Sequence, residues 1–405
     1  MHLLKSAGNT RLHKKINQMK KLLSFALVCV CTLTCGFAQV KKPLFDAIAV
    51  VRGPALYSFK EAMKKPLEVY SLSLSNLQTY EKGISKFKNL EDLSISYSKD
   101  LVIIPAEIGQ LKNLKTLRLN NCKKLTILSK EIGNLANLEE LELSDNASLT
   151  TIPAQIAQLK NLKILRVVNC EKLTTLPKEI GSLANLAELN LGYNKNLITL
   201  PIEIKNLKSL KILSLTACKN LDILPKEIFS LDSLETLELG WQENLQTLPV
   251  EIQQLKNLRK LELPVCRVLL ALPKEIGSLS KLEELNLSFN NNLTTLPKEI
   301  GQLQNLKKLS LEGCRYFVSL PKEIDNLTNL EELNLTGLEL TNLPIGITKL
   351  KNLKILYLYV CANLKNLPPE IVNMTNLRVL GLTNTRISPT EIANIKKLLP
   401  NCEIK

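Results

Sequence analysis

Leucine recurs in the spacing L-x-x-L-x-L with a period of 24 residues, and that period constrains the fold more than any other feature of the chain. The motif stands at Leu90, Leu93 and Ile95, then at Leu114, Leu117 and Leu119, and the same phase continues from Leu138 to Leu330. One step of 23 residues reaches Leu353 and a further 24 reach Leu377. Stepping back 23 from Leu90 gives a degenerate first unit at Leu67, Tyr70 and Leu72, so about fourteen units are expected. Within each unit L-x-L predicts a short strand whose leucines point one way and whose intervening residues point the other. The second half opens with proline, as at Pro177, Pro273 and Pro297, which is expected at the first position of a short helical turn. Its Ile180, Leu183 and Leu186 return to the same core. Eleven of the twelve regular units keep the proline, and Ser129 is the exception. No unit can bury its apolar face alone, so stability must come from stacked neighbours.

The full unit, LEELNLSFNNNLTTLPKEIGQLQNL at 282–306, resembles the leucine-rich repeat consensus. Its LP-x-EIG-x-L-x-NL half is similar to bacterial arrays and to the plant intracellular Ras-group type. The resemblance covers 67–404 and implies an α/β right-handed horseshoe solenoid with a parallel sheet lining the concave side. The array is placed at 67–388, between an N-terminal cap at 39–66 and a C-terminal cap at 389–405. In the first cap Tyr57 to Lys64 reads as a short amphipathic helix. In the second, Pro389 to Leu399 reads as a helix and Cys402 to Lys405 as a last strand, joined by a PNC sequence familiar from this family.

The first 38 residues read as an N-terminal extension followed by a secretory signal. From Met19, Lys20 and Lys21 supply a positive start, Leu22 to Leu33 an apolar run, and Gly36 and Ala38 the small residues before cleavage. That run is shorter than the roughly 20 residues of a spanning helix. An apolar core helix is the alternative. Cleavage after Ala38 would place the protein in the secreted, periplasmic or cell-surface space, and retention of the segment in the cytoplasm. The full chain carries 53 basic and 38 acidic residues, net +15; without 1–38 it keeps 47 basic residues, net +9. Both histidines, His2 and His13, leave with that segment.

A finer period of 48 residues lies on top. At the consensus asparagine position alternate units hold Cys122, Cys170, Cys218, Cys266, Cys314 and Cys361, and the units between hold Asn146, Asn194, Gln242, Asn290, Leu338 and Thr385. In the family this position points inward and satisfies backbone groups of the tight loop. Cysteines two rungs apart are about 10 Å from one another by strand spacing, beyond the reach of a disulfide. Without histidine or a paired C-x-x-C beyond residue 38, metal binding is not expected either. The reading is buried thiols acting as small apolar groups.

Catalytic chemistry lacks its parts: no triad histidine, no G-x-S-x-G, no phosphate-cradling glycine loop. Paired carboxylates such as Glu139/Glu140 and Glu283/Glu284 recur with the repeat, as a solvated row does. The expectation is a non-enzymatic, cofactor-free, monomeric binding protein whose partner is a protein, with a glycan as the alternative. Just after the first leucine, charge alternates along Glu91, Lys115, Glu139 and Lys163, so neighbouring strands set acid beside base. That alternation argues against nucleic acid, which needs an uninterrupted basic stripe. Inside L-x-L the row is irregular and includes Arg118 and Arg166. Just beyond the strand stand Tyr97, Tyr193, Trp241 and Phe289, the last three spaced by 48, with Trp241 the only tryptophan. They suit interface anchors or covers shielding the leucines beneath. Tyr357 and Tyr359 add a C-terminal aromatic patch. Pro264 is expected to disturb the strand ladder between Leu263 and Cys266. A structural or adhesive spacer and an intracellular signalling scaffold are the other functional readings.

Overall fold

A computed structural model describes residues 48–51, 56–78, 80, 83–221 and 223–405. The expected export signal lies outside these residues. The L-x-L segments form three-residue strands such as Glu188–Asn190, Ile212–Ser214 and Thr236–Glu238. Each pairs in parallel with the next, leucine opposite leucine: Leu189 faces Leu213, and Leu213 faces Leu237. The result is one long sheet of 17 strands, parallel except at its N-terminal edge. It lines the concave side of an α/β repeat solenoid. The leucines and isoleucines of the motif fill a single continuous core, nearly all fully buried.

The far side of each unit is a five-residue 3-10 turn such as Lys178–Ser182. Proline caps this turn from outside and does not occupy its first position. Pro177 has φ −66° and ψ 144°, an extended conformation, and its carbonyl accepts the first turn bond from the Ile180 N–H at 3.0 Å. The ring removes a donor the turn never uses and pre-sets φ. Ser129 caps its turn without a ring, through a hydroxyl that accepts from the Glu131 N–H at 3.4 Å.

The N-terminal end corrects two expectations. The first repeat is offset from Leu90 by 21 residues, not 23: Leu72 pairs with Leu93 and Leu74 with Ile95. Val69, Leu72 and Leu74 are buried, whereas Leu67 is exposed. The N-terminal cap also holds more than a helix. Ile48–Val51 pairs antiparallel with Leu56–Ser58 and with the first repeat strand, which leaves that edge of the sheet covered. Phe59–Ala62 supplies the short helix, its Phe59 ring set edge-on to Phe87 at 5.7 Å. At the other end Pro389–Leu398 is helical and Glu403–Ile404 adds a last parallel strand, both as expected.

Pro264 does not disturb the ladder, contrary to expectation. The Leu263 N–H reaches the Asn286 carbonyl at 2.9 Å and the Val265 N–H reaches Ser288 at 2.8 Å. Pro264, between them, has no N–H to give, and its position is one whose backbone nitrogen points off the ladder. In a neighbouring unit the matching N–H, that of Ser288, binds the Asn286 side chain instead. Pro264→Ala is therefore expected to shift stability by less than about 0.5 kcal/mol, read from the urea midpoint.

The 48-residue alternation has a hydrogen-bonding basis. Asn194, fully buried, accepts the Cys170 N–H at 2.7 Å through Oδ1 and donates through Nδ2 to the carbonyls of Val167 and Leu191. Cys218 reaches the carbonyl of Leu191 with its Sγ at 3.2 Å, a weaker version of the same bond to the preceding strand. Asparagine thus ties its own loop to the cysteine loop before it. The seven described cysteines are free thiols. A second asparagine row went unread in the sequence: Asn113, Asn137, Asn161 and Asn185 each donate to a backbone carbonyl 25 residues earlier, stitching the outer loops together.

Candidate functional site

The concave surface is built from the residues flanking and separating the paired leucines, because every second side chain of a strand points away from the core. Over the thirteen rungs from Asp92 to Thr383 these positions carry nine carboxylates and four cations, an excess of five negative charges in a chain of net +15. The floor of the array is acidic although the protein is basic.

Arg118 and Arg166 face this floor, but they are already occupied. Arg118 pairs with Asp92 at 3.3 Å, Glu140 at 3.2 Å and Glu142 at 3.6 Å. Arg166 pairs with Glu188 at 2.7 Å and Glu140 at 3.4 Å. Glu188 and Glu140, the nearest of the neighbouring carboxylates, hold the Arg166 guanidinium above its ordinary value, against the opposing effect of partial burial. The two arginines are therefore shared among four acids of their own surface. Further along, Lys260 sits 3.1 Å from Glu262 and Lys308 2.7 Å from Glu284. The charge row at the start of the strands behaves as expected, with Lys115 on Glu91 at 2.9 Å and Lys163 on Glu139 at 2.7 Å. Exposed pairs of this kind contribute a few tenths of a kcal/mol each.

The aromatic row has a property that sequence did not reveal. Each of Tyr97, Tyr193, Trp241 and Phe289 has a positive φ, between 54° and 62°. The chain turns out of every strand through this left-handed position, which costs an ordinary L-residue about 1–2 kcal/mol and suits Gly or Asn. Other units use those residues: Asn121, Asn169 and Asn384, and Gly313 and Gly337. Five consecutive rungs do not. Tyr193, Ala217, Trp241, Val265 and Phe289 keep apolar side chains there, bounded by Asn169 on one side and Gly313 on the other. The signal available in the sequence was this row read whole, since asparagine and glycine recur in it.

Tyr193 is 50% exposed, Phe289 41% and Tyr97 57%, while Trp241 is half-buried. The Phe289 ring lies across the next rung: a Cβ on Gly313 would fall 2.5 Å from Phe289 Cδ1. With Ala217 and Val265 in the gaps, the rim from Tyr193 to Gly313 is one apolar strip. Tyr357 and Tyr359 are brought together as well, stacked at 5.4 Å between ring centroids. Tyr359 rests on Gly381, where any Cβ would collide with its ring. This second patch lies three rungs beyond Phe289, past the bare Gly313 and Gly337.

Burial pushes the cysteine thiols up, Cys170, Cys218 and Cys314 to about 12 and Cys266 to about 11. They are protonated, inert core groups at neutral pH. Among the described residues no helix is long and apolar enough to cross a membrane.

A family model described as leucine-rich repeat region matches residues 68–196 and 193–316. Among solved structures, a leucine-rich repeat protein of Leptospira interrogans is 40% identical, with 86% of this chain and 98% of that one covered and a TM-score of 0.59. A plant peptide hormone receptor, RGFR1, solved in complex with RGF2, is 30% identical over 83% of this chain and 62% of its own, with a TM-score of 0.53. A chain of the Toll–Spätzle complex of Drosophila shares the fold at 21% identity, over 75% of this chain and 45% of that one, with a TM-score of 0.57. No curated protein matches. Leucine-rich repeat arrays are commonly protein-binding parts of receptors and are generally without catalytic activity. By its repeat, its solenoid and these likenesses, the chain belongs to the leucine-rich repeat proteins.

Proposed function

We propose that this protein is a non-enzymatic binding protein that captures a protein partner with its concave face, anchored on the apolar rim from Tyr193 to Phe289. One observation carries the reading. Rungs with a polar residue at the left-handed position have cores as fully buried as rungs with a ring: Leu119 and Cys122 beside Asn121 match Leu239 beside Trp241. The rings are therefore not needed as covers for the leucines, and they occupy a position whose backbone penalises them. Strain kept at exposed apolar side chains is a mark of a binding surface. The peptide hormone receptor among the relatives, solved with its peptide, supports the same use of the fold. The pattern from Met19 to Ala38 supports export, with the partner met outside the cytoplasm.

Arg118 and Arg166 are secondary candidates, because a partner would have to displace carboxylates that already bind them. The test uses the intact array as bait in a crosslinked pull-down, beside a variant carrying Tyr193→Asn, Trp241→Asn and Phe289→Asn. Capture should fall at least about tenfold in the variant. A variant that retains the parent's partner at the parent's level would sink the assignment.

A further inference from the structure

The rim strip has a spacing as well as a chemistry. Tyr193, Trp241 and Phe289 stand on alternate rungs of one in-register parallel ladder. Two rungs span about 9.6 Å at the usual strand separation. A polyproline-II helix has three residues per turn at about 3.1 Å each, so it repeats every 9.3 Å or so. Over the two intervals from Tyr193 to Phe289 the accumulated mismatch is only about 0.6 Å, well within side-chain play. A β-strand ligand, repeating a face at about 6.8 Å, falls out of step by the second ring. The residues between the rings, Ala217 and Val265, are smaller than the rings, and the Phe289 ring leans over Gly313.

The floor beside the strip selects charge. Glu238 lies on the rung of Trp241, Glu262 on the rung of Val265 and Glu312 on the rung of Gly313. Across the six rungs from Glu188 to Glu312 the outward strand positions carry five carboxylates; Arg166 holds Glu188, Lys260 holds Glu262 and Lys308 holds Glu284, which leaves Glu238 and Glu312 outside these ion pairs. An occupant with one face on the rings turns another toward this acidic floor.

We propose that the strip binds a polyproline-II segment rich in proline and lysine, running across the rungs, with one proline per turn stacked on Tyr193, Trp241 and Phe289 and its lysines on Glu238 and Glu312 of the floor. This rests on the rim being the binding surface. Proline rings packing on aromatic side chains with little ordering entropy left to lose is the general mode for such segments. A minimal site covers about 19 Å, or roughly seven residues.

The test uses the full chain and the fluorescence of Trp241, the one tryptophan, with calorimetry for variants that lack it. The probes are peptides of about twelve residues repeating Pro-Pro-Lys, Gly-Gly-Lys or Pro-Pro-Glu, and a neutral β-1,4-linked glucan oligomer. Pro-Pro-Lys should bind and change the Trp241 emission. Affinity should drop at least about tenfold for Gly-Gly-Lys, for Pro-Pro-Glu and for the Trp241→Asn variant, and stay unchanged for Tyr97→Asn, which has the same backbone strain outside the strip. Equal binding of Gly-Gly-Lys, indifference to Trp241→Asn, or a response to the glucan alone overturns the proposal. If no peptide binds while capture of a partner still depends on the three rings, the proposal fails and the rim assignment stands. If capture does not depend on them either, both fall.

Discussion

Raising the pH from 8 toward 11 should unfold this array far more steeply than its lysines alone would. Each buried thiol of the alternate units releases its proton in the unfolded chain near the ordinary value of about 8.5. In the fold, burial pushes Cys170, Cys218 and Cys314 up to about 12 and Cys266 to about 11, and raises Cys122 and Cys361 as well. Above about pH 8.5 the unfolded state therefore binds fewer protons than the native one, and stability falls as pH rises. It is intact below that pH and lost progressively through the folded values near 11 to 12. One thiol gives a slope of about 1.4 kcal/mol per pH unit. The four with folded values near 11 to 12 give a slope on the order of 5 kcal/mol per pH unit near pH 10, and Cys122 and Cys361 act in the same sense. Urea midpoints followed by circular dichroism from pH 8 to 10.5 measure it. A variant with alanine at all six positions should be weaker at pH 8 and much flatter above it. An alkaline slope unchanged in that variant would remove the thiols from the account.

The second large effect is expected at the asparagines that separate those cysteines. Asn194→Ala strands the Cys170 N–H and the Val167 carbonyl in the core and leaves the Leu191 carbonyl only its weak bond from the Cys218 thiol. Each unsatisfied buried group costs about 1–3 kcal/mol, and some relaxation is expected, so the variant should lose roughly 3–5 kcal/mol. Asn185→Ala, on the exposed outer row with one bond to the Lys160 carbonyl, should lose about 1 kcal/mol. Equilibrium unfolding of the two variants side by side gives the difference. A loss at Asn194 no larger than at Asn185 would mean that the inner amide ladder is not what couples the units.

The repeat was readable because its two periodicities leave no alternative. Leucines two apart on a strand and three apart in a turn can share one core only by stacking. Register at the first unit was not readable. Leu67, Tyr70 and Leu72 fit the template as well as Val69, Leu72 and Leu74 do, and both choices keep the strand parity. The pairing of Leu72 with Leu93 decides between them, and that is a contact across rungs. The antiparallel strand Ile48–Val51 precedes the period and so carried no repeat signal. At the candidate site, sequence located the aromatic row and the two arginines. It could not show that Arg118 and Arg166 are held by carboxylates one rung away, because Asp92, Glu140 and Glu188 stand in a neighbouring column and only Glu142 in their own. Nor could side-chain pattern disclose backbone strain, although Asn121, Asn169 and Gly313 in the same row were its trace. Pro264 misled for a related reason: alternate N–H groups at the strand end leave the ladder, and sequence does not say which.

The central claim is that the strained apolar rim is maintained for binding and not for the fold. The direct measurement is the unfolding free energy of the Tyr193→Asn, Trp241→Asn, Phe289→Asn variant. Asparagine relieves about 1–2 kcal/mol of left-handed strain at each site, which offsets the modest packing that rings half in solvent provide. The variant should lie within about 1 kcal/mol of the parent while losing its partner. A loss of more than about 3 kcal/mol would contradict the claim and make the rings part of the solenoid's own packing.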